Sequence, residues 1–141
     1  MCENKEILLK CTKKNTPLFT MEDNEYFCKC VDVYDGDTIT VAFKRSNEEL
    51  IYKHKIRLLG IDTPEVRTKN LEEKKKGIEI RDILREKILN KIIFIKCGKF
   101  DKYGRLLAYV YDEDKKINFN KWLIDQGFAY EYNGGTKKIY K

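Results

Sequence analysis

Short runs rich in apolar, aromatic and β-branched residues, separated by polar turn residues, predict strands along much of the chain, and apolar residues recur at helical spacing from Ile80 to Ile88. Residues 1–22 mix charge, Thr, Asn and one Pro without a period, and are expected to form a loosely packed arm. Tyr26 to Tyr34 is rich in aromatic and β-branched residues, Asp35-Gly36 follows, and Thr38 to Phe43 resumes the same texture. Two β-prone runs around Asp-Gly predict a hairpin with a type I′ turn, Gly36 supplying the positive φ. Ser46 to Glu49 reads as a turn, Leu50 to Leu59 as a third strand, and Asp62 to Glu65 as its end. Lys69 to Lys76 is a charge run, expected as solvated loop and helix start. Ile80, Ile83, Leu84 and Ile88 then recur at helical spacing. Lys91 to Cys97 returns to strand, Gly98 to Gly104 turns, Arg105 to Tyr111 makes a fifth strand, and Asp112 to Lys116 turns again. Asn120 is placed to cap a helix from Lys121 to Gln126 that Gly127 stops. The tail to Lys141 is aromatic and basic, with a flexible Gly134-Gly135.

Three strands, a helix, two strands and a helix describe an α+β chain built on a five-stranded OB-fold barrel, which carries a helix between its third and fourth strands. The expected division is an arm over 1–22, one domain over 23–133 and a basic tail over 134–141. Composition agrees with one folded domain: of 141 residues 42% are hydrophobic, too many for a disordered chain. The charged share of 37% exceeds the ordinary figure of about 25%, and 29 Lys and Arg against 23 Asp and Glu leave +6. That balance points toward a polyanion, most simply nucleic acid.

Other classes are excluded on similar grounds. No run approaches the roughly 18 consecutive apolar residues of a membrane span. The start, MCENKEILLKCTKK, lacks the apolar core of a secretory signal. The five cysteines have no CxxC spacing, Cys28 and Cys30 fall on one strand face, and the single histidine, His54, does not make up a zinc set with them. Free thiols in a reducing cytoplasm are expected.

Three turns carry candidate chemistry. In Asp35-Gly36-Asp37-Thr38 the turn accounts for the first two residues, but not for Asp37, a hard oxygen donor suited to Ca²⁺. In the run from Arg57 to Glu65, Asp62 and Glu65 fit a capping box on a short helical turn begun by Pro64. The same atoms fit a site: Asp62 and the Thr63 carbonyl complete a metal set with Asp37, and Glu65 holds a water or takes its proton. Arg57 fits either a rim ion pair or a bidentate phosphate grip. In Asp101-Lys102-Tyr103-Gly104-Arg105 a second arginine opens a strand. Two guanidinium groups about one phosphorus answer the charge that phosphodiester cleavage spreads over the equatorial oxygens.

These motifs, DGDT at 35–38, RLLGIDTPE at 57–65, DKYGRLLAYVY at 101–111 and NKWLIDQGFA at 120–129, resemble the staphylococcal nuclease (thermonuclease) family from about Phe27 to Ala129. The resemblance implies an OB-fold, Ca²⁺-dependent phosphodiesterase on DNA and RNA that cuts P–O5′ and leaves 3′-phosphate ends. By matched position, Asp37, Asp62 and the Thr63 carbonyl would bind Ca²⁺, with Asp35 an outer neighbour. Arg57 and Arg105 would bind phosphate and stabilise the transition state, and Glu65 would be the general-base position. Lys102 and Tyr103 would contact a terminal phosphate, and Tyr130 and Tyr132 would lie near the base or serve only as helix-end packing. The substrate implied is single-stranded DNA, RNA or frayed duplex, acted on by a monomer with no membrane role. The family also holds barrels that have lost these side chains and act as noncatalytic nucleic-acid or protein binders. This chain keeps all five core side chains, Arg57, Asp37, Asp62, Glu65 and Arg105. The family's third helix, after the tyrosine pair, is expected to be absent or reduced to Thr136–Lys141.

Overall fold

The computed structural model describes residues 4–132. In chain order its elements are α1 (Lys5–Leu9), β1 (Glu25–Asp35), β2 (Thr38–Phe43), β3 (Tyr52–Leu58), β4 (Ile61–Asp62), α2 (Leu71–Ile88), β5 (Ile92–Phe100), β6 (Leu106–Asp112), α3 (Phe119–Asp125) and β7 (Tyr130–Glu131). Five strands close a barrel in the order β1-β2-β3-β6-β5, while β4 and β7 pair separately beside it. Every barrel neighbour is antiparallel except β3 and β6, which run parallel. This is the expected α+β barrel, its inside filled by residues such as Val33, Ile39, Val41, Ile56, Ile95 and Val110.

Two irregularities in β1 decide where the site lies. Between Cys30 and Asp32 the strand carries one residue more than its partner β2, and the pairing slips again between Val33 and Asp35. A bulge reverses which alternate residues face inward. Cys28 and Cys30 are buried ahead of it, Val33 and Asp35 after it, so a carboxylate is delivered to the inner phase of the strand.

Several expectations are corrected. Gly36 does not carry a positive φ, so the turn is not type I′. It is glycine for space: a Cβ there would stand 2.8 Å from methyls of both Thr63 and Ile80. Asp62 and Pro64 start no helical turn; Asp62 ends β4 and the next residues are irregular, so the capping-box reading fails. The third strand begins at Tyr52, and Leu50 and Ile51 lie exposed before it. β5 continues through Gly98 to Phe100 where a turn was expected. The cap of α3 is Asn118, whose side chain accepts from Lys121 N. Asn120 is instead inside the helix and buried, because its amide is drawn to main-chain groups of the barrel. Gly127, at φ +79°, follows the C-cap as expected.

Helix α2 begins inside the charge run, capped by Asn70, and buries Gly77, Ile80, Leu84 and Ile88, with Ile83 only half-buried. The arm contains α1, none of whose residues is buried, yet Met21 near its end belongs to the barrel core. The expected absence or reduction of the third family helix and the basic tail both fall outside the described residues.

Candidate active site

The site gathers at one end of the barrel, where β1 turns into β2 and β3 runs out into β4. Arg57 is the penultimate residue of β3 and pairs in register with Thr38, next to Asp37. It is only 8% exposed, so its charge needs partners in place. Nη1 lies 3.3 Å from Asp37 Oδ2 and Nη2 lies 3.4 Å from Asp62 Oδ1. One guanidinium therefore bridges the two aspartates that sequence reasoning paired. Asp37 is fixed further: Thr63 N donates to its Oδ2 at 3.0 Å and Thr38 Oγ1 to its Oδ1 at 3.1 Å. Asp35 Oδ1 accepts from Asp37 N at 3.1 Å. Burial, and then the neighbouring Asp37 charge, raise the Asp35 carboxyl to about 8. Three buried carboxyl groups thus crowd around one buried guanidinium.

Glu65 is held against α2. Its main-chain N–H donates to Glu73 Oε2 at 3.2 Å. At Gly77 the helix comes so close to this segment that a Cβ would sit 2.8 Å from the carbonyl oxygens of Pro64 and Glu65. A glycine in a helix interior costs roughly 1 kcal/mol against alanine. Here its bare backbone is what lets the Glu65 segment lie on the helix.

Arg105 stands at the start of β6 across the cleft. Asp101 accepts from Arg105 Nε at 2.7 Å through Oδ2, and from Tyr103 N and Arg105 N, both at 2.9 Å, through Oδ1. Although burial alone pushes the Asp101 carboxyl up, those N–H donations and the Arg105 charge hold it below the usual range. Arg57, Arg105, Tyr103 and Tyr132 line two adjoining clefts. One, of about 460 Å³, also holds Asp35, Asp37, Glu65 and Arg67. The other, of about 630 Å³, is floored by Leu58, Leu59 and Leu107 and edged by Lys102. Tyr132 faces the Arg57 guanidinium at 5.7 Å and its N–H donates to Gly60 O at 2.8 Å. Tyr130 pairs with Asp62 across β4 and β7 and lines neither cleft.

The structure therefore brings together Asp35, Asp37, Arg57, Asp62, Thr63, Glu65, Lys102, Tyr103, Arg105 and Tyr132 at one end of the barrel, and leaves Tyr130 as a neighbour through the main chain. Sequence reasoning missed Asp101, Arg67, Glu73 and Gly77 as parts of the site. Asp101 was readable in principle, since an aspartate four residues before an arginine across a glycine turn is a natural partner for it.

The profile of the family described as staphylococcal nuclease homologue matches residues 55–140, more than half of the chain. The chain belongs to the staphylococcal nuclease family. Among relatives, an uncharacterized protein of Methanocaldococcus jannaschii is 34% identical over 140 residues, covering 84% of this chain and 65% of that protein. The thermonuclease of Staphylococcus hyicus is 34% identical over 108 residues, 75% of this chain and 59% of its own. Endonuclease YncB of Bacillus subtilis is 34% identical over 111 residues, 74% of this chain and 49% of its own. The chain thus spans between 49% and 65% of the length of these relatives. The family match covers Arg57, Asp62, Thr63, Glu65 and Arg105, while Asp35 and Asp37 lie before it.

Whether a metal fits can be judged from the donors. They are oxygens: the Asp37 and Asp62 carboxylates, bridged by Arg57, with Asp35 close by and the Thr63 main-chain carbonyl next in the chain to Asp62, and among the described residues no histidine or cysteine lines the cleft of Asp37. Among the described residues no three acidic, His or Cys side chains group tightly enough to hold an ion alone. Two carboxylates and a carbonyl make a partial set suited to a hard cation that keeps water or substrate oxygen among its ligands. The buried Thr63 Oγ1, which has no hydrogen-bond partner, adds an unsatisfied oxygen at the same residue. The donor chemistry fits a hard divalent cation.

Proposed function

We propose that the chain is a Ca²⁺-dependent nuclease that hydrolyses DNA and RNA strands at P–O5′, leaving a 3′-phosphate on one fragment and a 5′-hydroxyl on the other. The observation that carries the reading is that Arg57 and Arg105 line the same cleft as Asp37 and Glu65. The nuclease names of two family relatives support it. Asp37, Asp62 and the Thr63 carbonyl would hold Ca²⁺. When bound, the ion supplies positive field for a phosphoryl oxygen and for the attacking water.

The protein's own groups do the rest. Glu65 orients the water toward phosphorus and accepts its hydrogen bond, whether or not it takes the proton. Arg57, with a planar fork anchored by two carboxylates, meets the equatorial oxygens as charge builds on them. Arg105, anchored by Asp101, answers charge on the oxygens and on the departing O5′. Both cations are positioned before substrate arrives, so little reorganisation is needed at the transition state. Lys102 and Tyr103 contact a terminal phosphate, and Tyr132 flanks the base-side cleft. A single strand suits this arrangement, because the apolar floor of the larger cleft accepts an unstacked base. The four described cysteines are all free thiols, which agrees with a reducing, intracellular setting. Among the described residues no helix is long and apolar enough to cross a membrane.

Digestion of labelled single-stranded DNA and RNA with Ca²⁺, with Mg²⁺ and with chelator tests the proposal. Cutting is expected with Ca²⁺ only, and the 3′ ends should lose phosphate to phosphatase. A purified, folded chain that binds the strand but never cuts it, or cuts equally in chelator, would overturn it.

A further inference from the structure

Beyond the two clefts of the site lies another, of about 390 Å³, lined in part by a bulge in β5. Cys97 pairs with Ala108 and Phe100 with Leu106, so Gly98 and Lys99 together oppose Leu107 alone. This bulge turns the strand locally and re-aims its side chains. Gly98 has no positive φ, and its value is space: a Cβ would lie 3.0 Å from Leu59 Cδ1 and 3.3 Å from Leu107 O. Leu59 and Leu107 line both this cleft and the 630 Å³ cleft, so one apolar floor runs from the arginines past the bulge. Lys96 and Tyr109 face each other across β5 and β6 and line the new cleft with Lys99. Tyr109 is 39% exposed, which leaves part of its ring open to a partner. Glu22 and Asp23 also line it, and the Asp23 N–H donates to Cys97 O at 2.8 Å.

We propose that this bulge cleft is a subsite for the nucleotide one step along the strand from the nucleotide in the larger cleft. The inference rests on the nuclease reading for its substrate. The chemistry favours a single nucleic-acid strand. Lys96 and Lys99 line this cleft as Lys102 lines the larger one, and they suit a passing phosphate. The Leu59–Leu107 floor and the Tyr109 ring suit a base, whose π-face stacks without regard to sequence. The carboxylates of Glu22 and Asp23 turn phosphate away, so the backbone passes on the lysine side and the base enters the cleft. Carboxylates there also accept from base amino groups, as cytosine N4 offers.

The test compares kcat/KM on a dinucleotide, too short to fill the subsite, with that on a ten-nucleotide single strand. Lys99→Gln and Tyr109→Ala are the variants, with Lys14→Gln as a charge-matched change in the arm. Anisotropy binding of the ten-nucleotide strand in chelator gives a readout independent of cutting. The wild type should favour the longer substrate, and each subsite variant should lose about tenfold of that advantage, roughly the worth of one stacked base or phosphate contact. Lys14→Gln should keep it. Gly98→Leu, which fills the cleft, should lose it as well; if that variant does not fold, the two surface changes decide. An unchanged length ratio in both folded variants, or equal losses on both substrates, would overturn the subsite. If the wild type binds but cuts nothing, the nuclease reading falls, while weaker strand binding by the two variants would still support the subsite and unchanged binding would refute it.

Discussion

Asn120 ties the helix behind the barrel to the floor of the cleft, and its removal has a calculable effect. Its Oδ1 accepts from Val110 N at 2.9 Å, and its Nδ2 donates to Leu59 O at 2.8 Å and to Ala108 O at 3.1 Å. In Asn120→Ala the three losses are unequal. Ala108 O keeps the donation from Leu59 N at 2.9 Å, so it remains satisfied. Val110 N–H loses its acceptor in a buried setting, at a cost of about 1–3 kcal/mol, and Leu59 O loses a donor where it is only partly buried, at a cost of about 1 kcal/mol. The sum is about 2–4 kcal/mol, a fall in Tm of roughly 10 °C for a domain of this size. Asn120→Asp keeps an acceptor for Val110 but sets a carboxylate against two carbonyls, so it should be at least as harmful. Urea unfolding monitored through Trp122 gives the stability directly. A loss below 1 kcal/mol in Asn120→Ala, or an Asp variant as stable as the wild type, would refute this assignment of the amide's role.

Two further predictions concern charge. Asp101→Ala frees the Arg105 side chain and the turn before it, so turnover should fall by about 10–100-fold with the fold retained, less than on removing Arg105 itself, and a steady-state assay of the three proteins orders them. His54 stacks on Phe43 with ring centroids 4.1 Å apart, and burial lowers its pKa. The unfolded chain therefore takes up a proton near pH 6.5 that the folded chain refuses until lower pH, so stability must fall as pH drops through that window. His54→Phe should remove this part of the slope between pH 7 and 5.5 in urea titrations, and a slope unchanged in the variant would assign it to other groups.

The barrel strands were legible because runs of aromatic and β-branched residues bounded by turn residues are a local signal, and the motif residues were legible because their spacing is. What sequence reading lost was set by contacts between distant segments. Nothing in the run from Tyr26 to Tyr34 marks the extra residue that turns Asp35 inward; the bulge exists only against β2. Asn118 and Asn120 are equal as caps by propensity, and the choice falls to Asn118 because main-chain groups of the barrel claim the other amide. Gly36 looks like a turn glycine until Thr63 and Ile80 are seen against it, and Gly77 looks like a flaw in a helix until the Glu65 segment is seen against it. Leu50 and Ile51 have strand-like side chains but precede the pairing with β2, so they lie outside the sheet. At the site, the grouping of carboxylates and arginines followed from the motifs, and the Asp101 support could have been read from its spacing to Arg105, whereas the parts played by Glu73 and Arg67 required the fold.

In the proposed reaction Arg57 acts through its fork on a phosphodiester. Deleting the side chain is a poor test, since it removes the cation that Asp37 and Asp62 share in a buried setting, at a cost of about 3–5 kcal/mol. Arg57→Lys keeps the charge near both aspartates and removes the planar pair of donors. Single-turnover cleavage of a single-stranded oligonucleotide in Ca²⁺, with folding checked by circular dichroism, should show the variant slower by about 10²–10³-fold with its Ca²⁺ binding retained. A folded Arg57→Lys protein that cuts at the wild-type rate would contradict the account.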